Sequence, residues 1–517
     1  MSNAHSLSCW QSLCETYEAV HGVCGAKKKT ELPFDPHQWD GLGEYYCKIT
    51  DKEYRSGHGQ FFTPKAIVKY LIRSTQYTPE QSIADISCGS GRFLLGALET
   101  MIQKSMDLSH IQASIYGFDI DPILVRIALA NVRGCLAKNG YKISMQETFH
   151  IREADMLEKV GGLFDSNMQF DCVLGNPPYL KTNPKQNLGH PNLYASFVEA
   201  GIKYLKPRGK LGYIIPKSFV SGAYFRRLRD ILTNQVSTEE LVTLFERDKA
   251  FMDVLQEQIL LTLSNTTPSS DSVIVGTAIT NGKFEISKFA IGRDIVFWNS
   301  SIICIPETEL DALLIKRCFK NGFKKVSDSG LRVSTGPVVA FRRKQYLSNE
   351  EGKGFRPLYW PHQVSRFTFN PNKEHKSRPK TMRDCKETTP EILNQDTVVF
   401  KRISAKEQRH RIEAALVKTG KGGFFLENHL NYMVREDDAA PPLNIMELLL
   451  NSSLWDRLFR LINGNTQVSA GEIRALPIPH NIEELHKADR TNWQDLERKI
   501  NEAYGLSKEE SDYVLQR

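Results

Sequence analysis

The 517-residue sequence lacks several features that define large classes of proteins. Its ten cysteines form no CxxC pair, which argues against a structural zinc site and against a disulfide scaffold. No apolar run approaches the roughly 20 residues that a membrane span needs. The N-terminus lacks the basic segment followed by an apolar stretch that marks a secretory signal. Internal repeats and long low-complexity tracts are also absent. These absences predict a globular protein of the cytoplasm, where thiols stay reduced.

The composition predicts about two or three domains with ample room for hydrophobic cores. Apolar residues make up 41% of the chain and charged residues 25%, which is ordinary for a globular protein. The net charge of +7 is unevenly distributed: residues 341–421 contain 19 Lys and Arg against 9 Asp and Glu, which leaves the rest near −3. A basic segment beside a nearly neutral body indicates a polyanionic partner, with a solvated basic surface as the simpler alternative.

The most informative stretch is Asn176-Pro177-Pro178-Tyr179, which follows an apolar run of strand type that stops at Gly175. Each proline lacks an N–H and fixes φ near about −65°, so neither a strand nor a helix continues through the motif. The Asn176 carbonyl oxygen, the proline carbonyls and the Tyr179 ring are therefore presented from a stiff loop at the carboxyl end of a strand, where open α/β sheets bind ligands. Acceptors beside an aromatic face suit the planar amine of a stacked base. For the tetrapeptide alone, a proline-rich turn is an equal alternative.

Three earlier strand ends also carry polar residues. Residues 82–98 predict a strand, a glycine turn and a helix, with Asp85 at the strand end. The turn is not a Walker loop, because no Gly-Lys-Ser/Thr follows, and Leu94 stands where a dinucleotide-binding motif has its third glycine. Asp119 lies 34 residues after Asp85, about one βαβ unit further along, and Asp155 ends a third such strand. A regular series of strand ends predicts a ligand site, although the glycine turn alone could be a plain tight turn.

Taken in chain order, these segments resemble motifs X, I, II, III and IV of the amino-methyltransferases, which methylate the exocyclic nitrogen of adenine or cytosine with S-adenosylmethionine (SAM). Motif X corresponds to residues 57–64, a loop that packs over the methionine end of SAM in the family, and motif I corresponds to residues 85–91. Ile86 and Ser87 are mild departures from the family's usual Pro and Ala in motif I. Asp119 as the motif II acid, Asp155 as the motif III acid and the motif IV tetrapeptide complete the set. The resemblance implies a SAM site formed by Phe61, Thr63, Asp85, Cys88, Gly89, Gly91, Asp119, Asp155 and Asn176.

The resemblance also implies a mechanism. An exocyclic amine of adenine or cytosine is a poor nucleophile because its lone pair is delocalised into the ring. Hydrogen bonds accepted from both N–H groups, by Asn176 Oδ1 and by the Pro177 carbonyl, would free the lone pair. Tyr179 and Phe251 would hold the flipped base between their rings, although Phe251 could instead be a core residue. Catalysis is then mainly positioning and electrostatics, and no metal is expected because the sulfonium is already a good leaving group.

Domain organisation follows from the same motifs. Residues 1–50 predict an N-terminal helical extension. Residues 51–300 predict a Rossmann-like methyltransferase domain of α/β class with a mostly parallel, doubly wound sheet. Residues 301–517 predict a mixed α/β or α+β target-recognition domain, in which aromatic residues alternate with cations around residues 359–369 and a helix over residues 492–504 closes the chain.

Asn at position 176, with motif X before motif I, resembles the N6-adenine class of γ motif order and favours adenine over cytosine. The sequence therefore predicts a site-specific DNA methyltransferase of the restriction–modification type, acting on a flipped adenine in duplex DNA. Double-stranded DNA is the expected partner. A separate restriction endonuclease is a further candidate, because no acid–x–Lys nuclease constellation is found outside the two domains.

Four alternatives remain open at this point. The enzyme could methylate cytosine N4, adenine in RNA, or glutamine in protein, since a planar amide also suits the tetrapeptide. The large basic C-terminal segment argues against the protein substrate. A degenerate methyltransferase fold that only binds DNA is the alternative without activity, and the intact Asp85, Asp119, Asp155 and Asn-Pro-Pro-Tyr motif argue against it.

Overall fold

The computed structural model describes residues 7–58, 63–159, 168–183, 188–246, 257–268, 271–280, 283–297, 302–320, 322–405, 408–463, 466–487 and 492–516. The chain divides into two compact units, Met1–Ser301 and Ile302–Arg517. Among the described residues, no helix combines the length and the apolar character needed to cross a membrane.

The first unit begins with helices and then alternates strands with helices. Its elements are α1 (Leu7–Val20), α2 (Gly41–Ile49), α3 (Lys52–His58), α4 (Lys65–Ser74), β1 (Ile83–Asp85), α5 (Arg92–Gln103), α6 (Leu108–Ser114), β2 (Ile115–Asp119), α7 (Pro122–Lys138), β3 (His150–Glu153), α8 (Met156–Lys159), β4 (Phe170–Gly175), α9 (Leu193–Lys203), β5 (Leu205–Pro216), α10 (Arg226–Asp230), β6 (Ser237–Glu246), β7 (Gln258–Ser264), β8 (Ser272–Thr280), β9 (Phe284–Gly292) and α11 (Arg293–Val296).

These strands form one nine-stranded sheet in the order β3-β2-β1-β4-β5-β7-β6-β8-β9. The pairs from β3 to β5 are parallel. β7 is antiparallel to both β5 and β6, β8 runs parallel to β6, and β9 is antiparallel to β8. The sheet reverses its winding between β1 and β4, so the crevice at their carboxyl ends is the place where such sheets bind ligands. The predicted doubly wound α/β fold is confirmed.

The main core of the first unit packs helices α4, α5 and α7 against the sheet, with Leu71, Leu94 and Val132 among its fully buried side chains. A second cluster joins α1 and α2 to α7, and Trp10 and Tyr46 are buried in it. Helices α1 and α2 are therefore part of the hydrophobic packing of the first unit, since both bury apolar side chains against α7.

The sequence makes three local predictions about helices: Thr63 before Pro64 as an N-cap, Asp121 as the cap of the helix that follows it, and a helix over residues 219–232. Asp121 caps α7, as predicted, because its carboxylate accepts hydrogen bonds from the amides of Ile123 and Leu124. The predicted capping role of Thr63 is wrong, since Pro64 occupies the N-cap position and α4 starts at Lys65.

The predicted helix over residues 219–232 is also wrong. Gly222 adopts an extended conformation, with ψ of 128°, which interrupts any helix that runs through it. Only Arg226–Asp230 is α-helical there, and residues 231–235 form a π turn. The sequence pattern missed the break because a single glycine inside an otherwise helical pattern is often tolerated.

The second unit consists of short strands and helices. Its elements are α12 (Glu309–Lys320), β10 (Lys324–Lys325), β11 (Leu331–Thr335), β12 (Leu347–Ser348), β13 (Phe355–Tyr359), β14 (Val364–Ser365), β15 (Thr368–Phe369), β16 (Thr381–Arg383), β17 (Thr397–Lys401), β18 (Ala414–Val417), β19 (Phe425–Leu426), β20 (Leu430–Arg435), α13 (Leu443–Leu450), α14 (Ser453–Ile462), α15 (Ala470–Ala475), β21 (Pro477–Ile478), α16 (Trp493–Ala503) and α17 (Lys508–Leu515).

Its strands form two four-stranded sheets, β11-β20-β17-β18 and β12-β16-β13-β19, and two pairs, β10-β21 and β14-β15. Antiparallel pairing dominates, with β13 and β19 as a parallel pair. The predicted helix near the C-terminus is present as α16, capped by Asn492, whose side chain accepts a hydrogen bond from the amide of Asp495. Trp455 of α14 donates its indole N–H to the Tyr504 hydroxyl at 2.7 Å. This mixture of small sheets and helices is an α+β arrangement, one of the two predicted.

Candidate active site

Three neighbouring parallel strands end at the same edge of the large sheet. Asp85 is the last residue of β1, Asp119 is the last residue of β2, and Gly175 is the last residue of β4. Asp155 follows two residues after the end of β3. Because the strands are parallel, the polar residues at their carboxyl ends lie side by side, as the regular series in the sequence predicts.

A cavity of about 460 Å³ opens at this edge of the first unit, within the size range of small-molecule and cofactor sites. Apolar and aromatic side chains that the sequence did not single out form part of its wall, including Ile120, Met156 and Phe197. The predicted site residues that line the cavity are Thr63, Asp85, Cys88, Gly89, Asp119, Asp155 and Asn176.

The glycine turn after β1 follows the path that a ligand-binding loop requires. The backbone of Gly89 has φ of +52° and that of Gly91 has φ of +86°, a region that other residues rarely adopt. A Cβ at Gly91 would also lie 3.1 Å from the Cβ of Ala128. The amide of Cys88 donates to the carbonyl of Phe118 at 2.8 Å, which ties the turn to the end of β2. Gly91 shapes the turn and precedes α5 without itself lining the cavity.

Asp85 is 2% exposed, and its Oδ1 accepts a hydrogen bond from the amide of Ser87 at 3.0 Å. Burial raises the pKa of this carboxyl to about 8, the Ser87 hydrogen bond lowers it, and the neighbouring Asp119 raises it further. A Cβ at Gly175 would lie 3.0 Å from Asp85 Oδ1, so the glycine at the end of β4 leaves room for the carboxylate. A buried acid of this kind is stabilised in its ionised form by a cationic ligand.

Asp119 is held by backbone amides on both oxygens. Gly89 donates to Oδ2 at 2.8 Å and Asp121 donates to Oδ1 at 3.0 Å. Burial raises the pKa of Asp119 to about 6, and these two hydrogen bonds limit the rise. The carboxylate therefore stays mostly ionised at neutral pH and can accept hydrogen bonds from ligand hydroxyls. Asp155, by contrast, is exposed, and it accepts a hydrogen bond from the amide of Leu157 at 2.9 Å.

The motif IV tetrapeptide is fixed by side-chain hydrogen bonds. Asn176 donates from Nδ2 to the Thr63 hydroxyl at 3.3 Å. The Tyr179 hydroxyl lies 2.6 Å from Asn176 Oδ1 and 3.2 Å from the carbonyl of Ile214, and its single hydrogen can be donated to only one of them at a time. The Tyr179 ring also meets the ring of Tyr194 edge to face, with centroids 6.3 Å apart. The sequence assigns a role only to the ring of Tyr179. The structure adds a contact between the Tyr179 hydroxyl and the side-chain amide of Asn176.

Besides Gly91, four predicted site residues do not line the cavity in the described structure or cannot be placed in it. Pro177 and Tyr179 lie beside the lining residues Asn176 and Pro178 without being part of the wall themselves. Phe61 and Phe251 lie outside the described residues, so their assignments to the SAM site and to base stacking stay predictions. Within the described residues, no three His, Cys, Asp or Glu side chains are grouped as a metal site.

Sequence reasoning missed a buried network behind the cavity. Asp40, immediately before α2, is fully buried and contacts Ser90 and Arg92 of the glycine turn. The local sequence indicates only that Asp40 could cap a helix, a role it does have, since it accepts a hydrogen bond from the amide of Gly43. Its other partners lie 50 to 91 residues away in sequence, and a single sequence carries no signal of such contacts.

Comparison with known proteins gives matches that agree with one another in function. Residues 113–251 match the Eco57I restriction-modification methylase family. The chain is 28% identical over 454 residues to the type II methyltransferase M.BsuBI of Bacillus subtilis, which spans 82% of this chain and 88% of that protein. It is 27% identical over 502 residues to the type II methyltransferase M.PstI of Providencia stuartii, spanning 90% and 96%. The resemblance to restriction–modification methyltransferases is therefore confirmed.

Among solved structures, the chain resembles the type IIL restriction-modification enzyme MmeI in its complex with DNA. The TM-score is 0.56 at 13% sequence identity, with 92% of this chain and 82% of that chain covered. At this level of identity the likeness concerns the fold. It agrees with the doubly wound sheet of the first unit and with the presence of a second, mixed unit.

Proposed function

We propose that this chain is a modification methyltransferase that transfers a methyl group from SAM to the exocyclic N6 of an adenine in duplex DNA. The observation that carries the proposal is the placement of Asn176, from an Asn-Pro-Pro-Tyr motif, on the same cavity as Asp85 and Asp119. Chains similar to this one along most of their length are named type II methyltransferases, which supports the reaction class.

The residues of the cavity fit SAM. The buried carboxylate of Asp85 suits the ammonium of the methionine moiety, and Asp119 suits ribose hydroxyls, which it can bind as an acceptor. The exposed side chain of Ile120 and the buried Met156 offer apolar contact to an adenine ring. The glycine turn lets the backbone approach the ligand closely. SAM supplies an electrophilic methyl group on a sulfonium, a leaving group that needs no acid catalyst.

The amine is activated by acceptors of this chain. Asn176 Oδ1 and the Pro177 carbonyl would each accept one N–H of the adenine amine, which withdraws the nitrogen lone pair from the ring and makes it available to form the N–C bond. As the bond from the sulfonium to the methyl group breaks, the sulfur would leave as a neutral thioether, and the amine would lose one proton to water. Because Thr63 accepts a hydrogen bond from Asn176 Nδ2, the amide is oriented with Oδ1 as its acceptor. This oxygen lies 2.6 Å from the Tyr179 hydroxyl, and its two lone pairs allow it to accept the amine N–H beside that contact. Such fixed hydrogen-bonding groups require little reorganisation during the reaction.

An adenine in duplex DNA hides its amine in the base pair, so the base must be turned out of the helix. Unpairing costs a few kcal/mol, which contacts in the pocket and along the DNA backbone offset. The basic segment of residues 341–421 lies in the second unit and suits phosphate contacts.

Only part of this basic segment is available to DNA. Arg366 donates to the carbonyl of Asn451 at 2.6 Å, and Arg411 is buried and donates to Ser404 at 2.8 Å. These cations stabilise the second unit itself. Exposed cations for which the described structure shows no ion pair remain in this segment, and they include Lys344, Lys353, Lys373, Lys376, Arg378 and Lys386.

The choice of adenine over cytosine rests on the resemblance of Asn176 and of the motif order to the γ class of N6-adenine enzymes. A role in restriction–modification is supported by the names of the matched family and of the similar chains. A separate restriction endonuclease would then be the functional partner. The basic segment of the second unit favours DNA over a protein substrate.

The test is incubation of the protein with tritiated-methyl SAM and unmodified duplex DNA, followed by nucleoside analysis. Label in N6-methyladenine would support the proposal, and sequencing of the modified DNA would give the recognition site. Label in N4-methylcytosine would keep the reaction type and overturn the base. Label in RNA or protein, with none in DNA, would overturn the substrate, and DNA binding without any label would favour a binding module.

A further inference from the structure

A buried carboxylate outside the cavity organises the loops that form it. Asp40 Oδ1 accepts hydrogen bonds from the Gly43 amide at 3.0 Å and from Asn131 Nδ2 at 2.8 Å. Asp40 Oδ2 accepts from the Ser90 hydroxyl at 2.7 Å and from Arg92 Nε at 2.6 Å. With no exposed surface and four donors, this carboxylate is fully satisfied, so moving any one of its partners would leave a buried charge incompletely bonded.

Arg92 extends this network to the catalytic amide. Its Nε is bound to Asp40, and its Nη1 donates to the carbonyl of Thr63 at 2.9 Å. The hydroxyl of the same Thr63 accepts the hydrogen bond from Asn176 Nδ2. Three successive contacts therefore connect Asp40 in the N-terminal segment to Asn176 in motif IV. The guanidinium has a planar, rigid arrangement of donors, so it can hold two acceptors at fixed positions at once, which a lysine cannot do.

We propose that Asp40 and Arg92 are positioning residues for methyl transfer, which act by holding Thr63 so that its hydroxyl fixes the amide orientation of Asn176. This inference rests on the proposed function, since it assigns Asn176 the role of amine acceptor. It gives the N-terminal segment a part in the reaction itself. A displacement of about 1 Å in a catalytic group can lower a rate by roughly 100-fold, so contacts behind such a group can control turnover.

A second buried ion pair of the same N-terminal segment provides a matched control. Glu18 of α1 is fully buried and binds Arg126 of α7, with Nη2 to Oε2 at 2.5 Å and Nη1 to Oε1 at 3.2 Å. The exposed fraction of the Arg126 side chain is 16%, close to the 11% of Arg92. Both arginines thus attach the N-terminal segment to the methyltransferase core through a buried acid. Arg92 lines the cavity, whereas Arg126 is not among the lining residues.

The experiment compares Arg92→Met with Arg126→Met in the full-length protein. Both variants are expected to lower the unfolding temperature, Arg92→Met because it leaves the buried Asp40 without an arginine, and Arg126→Met because it leaves the buried Glu18 with Arg133 as its remaining arginine at 3.3 Å. Arg92→Met is expected to lower kcat for DNA methylation by roughly 10- to 100-fold with little change in the Kd for SAM. Arg126→Met is expected to keep the wild-type kcat. If either variant fails to fold, Arg92→Lys and Arg126→Lys replace them, since both retain the charge beside the acid.

A double-mutant cycle tests the route through Thr63. Thr63→Val removes the hydroxyl that Asn176 contacts and keeps the size of the side chain. If Arg92 acts through this hydroxyl, the variant that combines Arg92→Met with Thr63→Val will have the same kcat as Thr63→Val alone. Additive losses, equal losses of kcat in Arg92→Met and Arg126→Met, or a loss of SAM affinity with unchanged kcat at saturation would each overturn the inference. Failure of the proposed function would be distinct, because the wild-type protein would then transfer no label to DNA.

Discussion

The two units of the chain differ in how their sheets are built. The first has one continuous sheet of nine strands, and its strand β5 has 12 residues. The second has two sheets of four strands, and its longest strand, β20, has six residues. The strands that carry the candidate site, β1 to β4, have only three to six residues, but they lie side by side in the continuous sheet, and this pairing fixes the positions of the groups at their ends. Short strands joined by turns leave more of the chain in surface loops, which can vary in sequence and carry recognition.

The comparison predicts that defects in the two units can be separated. Changes at strand ends of the first unit should abolish methyl transfer and spare DNA binding. Changes on turns of the second unit should weaken DNA binding and spare the cofactor site.

The largest effect is expected for Asn176→Ala, which removes the amide acceptor. Methyl transfer measured in single turnover should fall by about 10²–10³-fold or more, comparable to the loss of one oxyanion donor in other enzymes. SAM and DNA affinities, measured by calorimetry and fluorescence anisotropy, should change little.

Asn139→Ala is the matched control for this change. Asn139 is an exposed residue at the C-terminal end of α7, where its side-chain amide donates to the carbonyl of Cys135 at 2.8 Å and lies 3.9 Å from the sulfur of that residue. It should keep normal transfer. Near-normal turnover of Asn176→Ala would show that the strand end of β4 does not supply the acceptor.

The next largest effect concerns the turn between β15 and β16. The triple variant Lys373→Ala, Lys376→Ala and Arg378→Ala should weaken DNA binding by about tenfold or more at low salt and reduce the slope of log affinity against log salt by about 2–3, because each lost phosphate contact contributes about 0.9. SAM binding should be unchanged. The control is the triple variant Arg498→Ala, Lys499→Ala and Lys508→Ala on helices α16 and α17. An unchanged salt slope in the variant with Lys373, Lys376 and Arg378 replaced would show that this turn does not contact DNA phosphates.

A smaller effect is expected from the ionisation of Asp85, whose pKa burial raises to about 8. Between pH 3.8, the ordinary pKa of an aspartate, and about pH 8, the folded protein keeps the proton on Asp85 whereas the unfolded chain loses it. The free energy of unfolding in the absence of SAM therefore falls as pH rises through that window. A bound ammonium favours the ionised form, so SAM binding should release a proton below about pH 8. Affinity should then rise by up to about tenfold between pH 6 and 7, since a titrating group changes affinity by at most that factor per pH unit.

Calorimetry in two buffers of different ionisation enthalpy would measure this proton release. Asp85→Asn should lower SAM affinity and abolish the proton release at pH 7, while Asp155→Asn, at an exposed strand end, should leave the release in place. Equal proton release by the wild-type protein and by Asp85→Asn would show that the proton comes from another group.

The smallest effect is expected for Tyr179→Phe, which keeps the ring and removes the hydroxyl that lies 2.6 Å from Asn176 Oδ1. The loss of one hydrogen bond predicts a decrease in kcat of roughly three- to tenfold, whereas Tyr179→Ala also removes the ring and should cost more. Tyr141→Phe is the control, because its hydroxyl donates to the carbonyl of Met106 at 2.7 Å, outside the cavity lining. Equal rates for Tyr179→Phe and the wild type would leave stacking as the sole contribution of Tyr179.

The sequence predicted the parts of the site that depend on local pattern. Asp85 and Asp119 were found because apolar strands that end in acids can be read from a few consecutive residues, and the tetrapeptide at 176 was found because two prolines limit the backbone so strongly. Asp40 and Arg92 were missed because their contact joins segments that only the folded chain brings together. The interrupted helix near Gly222 was missed because a single glycine is compatible with either outcome.

The second unit was predicted only in outline. Its basic character was visible from residue counts, but the counts could not show that Arg366 and Arg411 are engaged within the unit while Lys373 and Lys376 stay exposed. Which cations face solvent depends on strands as short as two residues, such as β14 and β15, and such strands have almost no periodic signal in sequence.

The antiparallel strand β7 has a consequence for synthesis of the protein. β7 lies between β5 and β6 in the sheet, although both precede it in the chain. Until residues Gln258–Ser264 have left the ribosome, one edge of β5 and both edges of β6 have no partner, because β8, the other neighbour of β6, follows β7 in the chain. Exposed edges of apolar strands promote pairing between chains. A nascent chain or truncation product that ends before Gln258 should therefore aggregate, and the full chain should depend on dilute conditions or chaperones during this interval. The strand that joins β5 to β6 is thus also the element whose late synthesis determines how long these edges stay exposed.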